Sequence, residues 1–190
     1  MRKTTCSLIC SVAGLWFATA AGVKADGYFL QLDLASETSD FVVAATRGNL
    51  SFGANYTSYE GGWSLGASVT RDFAIENVGT VKIGPSIGTS EERDDLAFGA
   101  KLVVERYMPT SFGFVFLLGQ YNTIDDDIFA LAQVGNGKGI SIDFSGGKSD
   151  TYSEQSVAVN YRLGDGPVSL RGGYRFEAEE IFLGVSLNTY

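Results

Sequence analysis

Histidine is absent from all 190 residues. That absence excludes Ser–His and Cys–His nucleophilic machinery and every imidazole metal site. Cysteine is almost absent, with only Cys6 and Cys10. Charge is sparse and lopsided: 19% of residues are Asp, Glu, Lys or Arg, with 22 acidic against 14 basic. Such a balance repels a phosphate backbone, so no nucleic-acid partner is expected. Beyond residue 25 no stretch reaches the ~18 apolar residues of a membrane-spanning helix. Any crossing of a bilayer must use strands.

The first 25 residues read differently from the rest. Arg2 and Lys3 precede an uncharged apolar stretch from Cys6 to Val23. Val23-Lys24-Ala25 then places small residues at the −3 and −1 positions of a cleavage site. This predicts a signal peptide over 1–25, cut before Asp26. Its removal takes both cysteines and leaves 11 basic side chains against 22 acidic. Residues 26–190 then form one domain without disulfides, stabilised by a real core or by a membrane.

What is present is alternation. In "WSLGASVTRDF" (63–73), Trp63, Leu65, Ala67 and Val69 alternate with Ser64, Gly66, Ser68 and Thr70. A period of two is the mark of a half-buried strand. It recurs from end to end with no helical periodicity, so an all-β fold is expected. The segmentation gives twelve strands: 27–37, 40–46, 49–59, 63–75, 79–90, 95–107, 111–124, 128–134, 138–146, 152–163, 167–177 and 180–190. A membrane strand needs about 9–11 residues. The runs 40–46 and 128–134 fall short, so eight or ten strands remain as alternatives to the favoured twelve.

Taken alternately, the connectors fall into two sets. "EGG" (60–62), "EERDD" (91–95), "DDD" (125–127), "GGKSD" (146–150) and "EAEE" (177–180) are mostly acidic. "RGN" (47–49), "ENVG" (76–79), "MPT" (108–110), "GNGK" (135–138) and "GDGP" (164–167) are short and rich in turn formers. An up-and-down meander would place the sets at opposite ends.

The second face of each strand is Gly, Ser, Ala, Thr and Asn, too poor in charge for a soluble exterior. Small polar residues suit the crowded inside of a barrel, which leaves the greasy face toward lipid. On that reading Phe112, Phe114, Phe116 and Leu118 face lipid, although Val115 and Leu117 on their other face are apolar too. Aromatics gather near strand ends, with Tyr56, Tyr59, Trp63, Tyr121, Tyr152 and Phe176 by the acidic connectors. Phe73, Tyr107, Phe112 and Tyr190 lie by the short turns, which completes two girdles.

Together with runs such as "LSFGANYTSYEGG" and "LRGGYRF", these features resemble Gram-negative outer-membrane β-barrel proteins of the small porin-like and YfaZ-like kind. The resemblance is one of style over 26–190. It implies a single antiparallel up-and-down transmembrane barrel in the bacterial outer membrane. The implied partners are outer-membrane lipid and the barrel-assembly machinery. The final strand departs from the usual pattern: Leu187, Val185, Leu183 and Ile181 fall on the opposite parity from Tyr190, with only Phe182 in step. Either a bulge there or atypical recognition by the assembly machinery would account for it. Barrel phospholipases, acyltransferases and proteases of the outer membrane rely on histidine, so no enzyme, cofactor or catalytic residue is expected.

Several charges fall on the inward parity. Lys82, Lys101, Arg162, Arg171 and Arg175 share it with Glu105, Asp143 and, at the margin, Glu177. They either pair to fill a narrow barrel or line a wet pore. The acidic connectors would take divalent cations through carboxylates or stand as plain solvated loops. Three functions stay open: a passive pore for ions or small solutes, a closed interaction barrel, and a soluble β-barrel holding an apolar ligand.

Overall fold

The computed structural model describes residues 26–93, 95–150 and 152–190. The expected signal peptide lies outside them. Six strands lead: β1 (Gly27–Leu34), β2 (Ser39–Arg47), β3 (Leu50–Tyr59), β4 (Gly62–Ile75), β5 (Gly79–Ser90) and β6 (Ala97–Thr110). Six more complete the ring: β7 (Gly113–Asn122), β8 (Asp127–Gly135), β9 (Ile140–Lys148), β10 (Ser153–Arg162), β11 (Val168–Arg175) and β12 (Glu180–Asn188). Each pairs antiparallel with the next, and β1 closes the barrel against β12 from Phe29↔Asn188 to Leu34↔Leu183. The two weak runs are full strands, β2 and β8, so the count is twelve rather than eight or ten. Closure leaves no strand edge, which is what hydrocarbon requires of a spanning sheet.

The two faces are inverted relative to a soluble protein. Phe98 is 79% exposed and Leu183 71% on the outer surface, whereas Ser51, Thr70, Ser86, Ser141 and Asn160 are buried inside. Water would penalise that arrangement and lipid favours it. Along β4 the outward set is Trp63, Leu65, Ala67 and Val69. The 63–73 stretch therefore faces as its alternation predicts.

β7 does not. Its register pairs Leu118 with Glu105 and Gln120 with Phe129, which turns Phe114, Phe116 and Leu118 into the barrel. Val115 and Leu117 face lipid instead. Both faces of this strand are apolar, so periodicity cannot choose between them; the partners decide.

Connections 35–38, 60–61, 91–96, 123–126, 149–152 and 176–179 share one end, here the acidic rim. Connections 48–49, 76–78, 111–112, 136–139 and 163–167 share the other, the short-turn rim. The two expected sets do separate, with two local differences. "MPT" belongs to β6 and the turn is 111–112, because Pro109 stands past the last β5 pair, Thr80↔Glu105, where one side of the strand has no partner to lose. The first strand ends at Leu34, so Glu37 joins the acidic rim.

The final strand carries no bulge. β12 pairs without interruption from Glu180↔Arg175 to Leu187↔Val168. Tyr190 lies beyond it on the inward parity, where its ring covers Gly27 and its hydroxyl reaches Thr46 Oγ1 at 3.0 Å. Phe182, the residue in step with it, faces the lumen and is buried.

Candidate functional site

The lumen is the site, and its walls differ in chemistry. The wall from β9 round to β1 carries an ion-pair network centred on Arg171. Asn160, Arg171, Gly184 and Asp33 form one cross-strand row over β10, β11, β12 and β1. Gly184 makes the row work: a Cβ there would stand 2.1 Å from Asp33 Oδ1. Across that gap Arg171 Nε donates to Asp33 Oδ1 at 3.0 Å, and its Nη1 donates to Asp143 Oδ2 at 2.7 Å and Asn160 Oδ1 at 2.6 Å. The outer oxygens of the two carboxylates accept from Gln31 and Gln133, each at 2.7 Å. Planar guanidinium geometry suits this two-sided clamp.

Closer to the acidic rim, Arg175 Nη2 donates to Asp40 Oδ2 at 2.6 Å, and its guanidinium lies 5.2 Å from the Phe182 ring centre. Gly173 supplies the room, since a Cβ there would meet Phe182 at 2.5 Å.

The wall from β6 to β8 carries an apolar patch on its inner face, made of Val103, Phe116, Leu118, Phe129 and Leu131 among polar neighbours. Lys82 and Glu105 pair beside it at 2.9 Å. Lys101 shares the inner face with Asp127, through the row Lys101↔Asn122↔Asp127. Between these walls β3 to β5 present small polar groups, with Ser51 Oγ donating to Asp72 Oδ2 at 2.9 Å.

Six of the seven expected lumen residues, Lys82, Lys101, Glu105, Asp143, Arg171 and Arg175, therefore lie on the inner wall. Arg162 keeps the inward parity but is exposed at the end of β10, against Gly139 of the 136–139 turn. Glu177 is exposed in connection 176–179 and not in a strand. Asp143 binds Arg171 directly.

Sequence reading missed six further acids on the inner face: Asp33, Asp40, Asp72, Asp127, Glu154 and Glu180. Asp33 and Asp72 sit on the polar parity of clear strands, a signal that was available. Glu154 and Glu180 pin the acidic rim. Glu180 accepts from Ser36 Oγ and Glu37 N, both at 3.0 Å, and from the Thr38 hydroxyl. Glu154 accepts from Glu177 N at 3.1 Å and Ala178 N at 3.2 Å. Each carboxylate thus holds a neighbouring connection. Arg93 pairs with Asp125 on the same rim. Among the described residues no group of acids is arranged to hold a metal ion.

The mouth at this rim is crossed by aromatics. Tyr59, at the end of β3, meets Tyr152 of connection 149–152 with ring centres 6.0 Å apart. Their strands lie on nearly opposite sides of the ring. Burial, then the nearby Asp40 and Glu154 carboxylates, push the Tyr152 phenol well above its ordinary value, so it stays neutral. Thr123 and Ile124 of connection 123–126 fold over Gly99, where a Cβ would meet them at 2.6 and 2.7 Å.

No family model and no curated protein matches the chain. Solved structures do. The KdgM porin in complex with disordered oligogalacturonate aligns with TM-score 0.58 at 10% identity, over 86% of this chain and 99% of that one. The NanC porin aligns with TM-score 0.53 at 8% identity, over 86% and 99%. Outer membrane phospholipase A from Escherichia coli aligns with TM-score 0.52 at 12% identity, over 85% and 89%. At such identities the likeness is one of fold: a closed antiparallel barrel like those of small outer-membrane porins.

Proposed function

We propose that this chain is an outer-membrane barrel acting as a small porin-like passive pore for ions or small solutes, and not an enzyme. The observation that carries it is the wet interior. A sealed barrel would bury all its inward side chains as it does Phe182 and Arg175, at 2% and 3% exposed, yet others on the inner wall are open. Asn55 is exposed, and Phe116, Leu118, Phe129 and Leu131 are only half-buried on the inner wall. The fold of the KdgM and NanC porins supports the same reading; the acidic oligosaccharide in the KdgM complex is not carried over. Likeness to the phospholipase brings no active site, since a chain without histidine has no Ser–His base.

Purified protein in planar bilayers should give discrete conductance steps. Tyr152→Ala removes half of the bridge across the mouth and should raise the step size. The closed-barrel reading is favoured by that same bridge and by the pinned connections. A silent wild type that Tyr152→Ala also leaves silent would establish it in place of the pore.

Orientation follows from turn length, because barrels of this class keep their shortest turns in the periplasm. Thiol labelling of intact cells should therefore reach Asp126→Cys and not Asp165→Cys. The reverse pattern would turn the barrel over.

A further inference from the structure

We infer that the pore prefers cations and that its solutes are small organic cations, an inference that rests on the pore reading above. The inner wall holds eight carboxylates (Asp33, Asp40, Asp72 and Glu105; Asp127, Asp143, Glu154 and Glu180) against four cations, or five with Arg162 at its far end. The two arginines are held in ion pairs. Arg171 is clamped between Asp33 and Asp143, and Arg175 lies against Asp40. Their positive charge is cancelled at contact distance, so a passing ion meets the surplus of acid. Among the other strand bases, Arg47, Arg71, Arg106 and Lys148 stand on the outward parity.

No single carboxylate cluster acts as a binding site here. Selectivity comes from the sum along a narrow lumen whose low-dielectric wall focuses the field. Acid-lined pores pass cations by this means. At the mouth the sign is the same. Tyr59 and Tyr152 bridge the opening, and Glu91 and Glu92 lie near Tyr59 together with Asp125, whose charge Arg93 offsets. Aromatic faces attract cations through their quadrupole. Deeper in, the half-buried apolar side chains of Phe116, Leu118, Phe129 and Leu131 give a carbon frame a surface that a hydrated metal ion would not use. An ammonium on an apolar frame meets all three features.

The test is the reversal potential of reconstituted protein with KCl more concentrated on one side. Wild type should show a several-fold preference for potassium over chloride. Glu91→Gln with Glu92→Gln (both exposed), and separately Asp127→Asn, should each lower it. Heat-modified gel migration would verify that the variants fold. Choline chloride in place of KCl should give a reversal of the same sign. Anion-selective or unselective current overturns this inference and leaves the pore. Selectivity unchanged in the variants overturns the assignment to these carboxylates. Current carried by chloride in choline chloride overturns the organic-cation part. Absence of any current overturns the pore reading and this inference with it.

Discussion

Arg171→Ala should lower the stability of the folded barrel by about 3–5 kcal/mol, the cost of stranding buried charge. The side chains of Arg171, Asp33 and Asp143 are 9%, 5% and 6% exposed. Removing the guanidinium leaves two carboxylates with one glutamine donor each and no counter-charge. Arg171→Lys should recover only part of the loss, because a single ammonium cannot fork between β1 and β9. The network ties β1 to β9 across three intervening strands, so its loss weakens the closing seam as well. Urea refolding into lipid vesicles would measure the effect. Adding Asp33→Asn and Asp143→Asn to Arg171→Met should restore most of the stability, since a neutral set leaves no unpaired charge. Arg162→Ala, at an exposed position, should change little. Equal effects at Arg171 and Arg162 would sink the account of the wall.

Leu102→Arg should cost about 2–4 kcal/mol if the residue lies near the bilayer midplane, whereas Ser68→Arg should act on the lumen. Leu102 faces outward in the middle of β6, flanked by Ile83 and Tyr121 on its neighbours. A guanidinium placed there must be drawn into hydrocarbon or thin the bilayer around it. Leu65→Arg, nearer the acidic rim, should cost less, because the side chain can reach the interface. Ser68 points inward between Gly53 and Ser86 and is half-buried there. An arginine there should leave folding nearly intact and narrow the conductance. Refolding yields and midpoints in vesicles separate the two faces. Comparable loss at Leu102 and Ser68 would mean that the outward face does not meet lipid.

The sequence by itself determined the class of fold and most of the facing. A period of two across eleven connectors, with small polar residues on one parity, dictates strands whose greasy side needs a partner. Closure then follows from chemistry, because hydrocarbon tolerates no edge. The alternation of acidic connectors with short turns likewise follows from order along the chain. So did six of the inward charges, each a charged residue on the polar parity of a clear strand.

Tertiary structure decided whatever depends on strands distant in sequence. The parity of β7 was undetermined because Phe116 and Leu117 are equally greasy, and only pairing with β6 and β8 turns Phe116 inward. Arg171 and Asp33 are 138 residues apart and meet only because β1 closes on β12, with glycine at position 184 between them. Tyr59 and Tyr152 meet across the mouth, where no strand register links them. Alternation assigns a face to each residue. Which residues touch on that face is set by how the ring closes, and that is a property of the whole barrel.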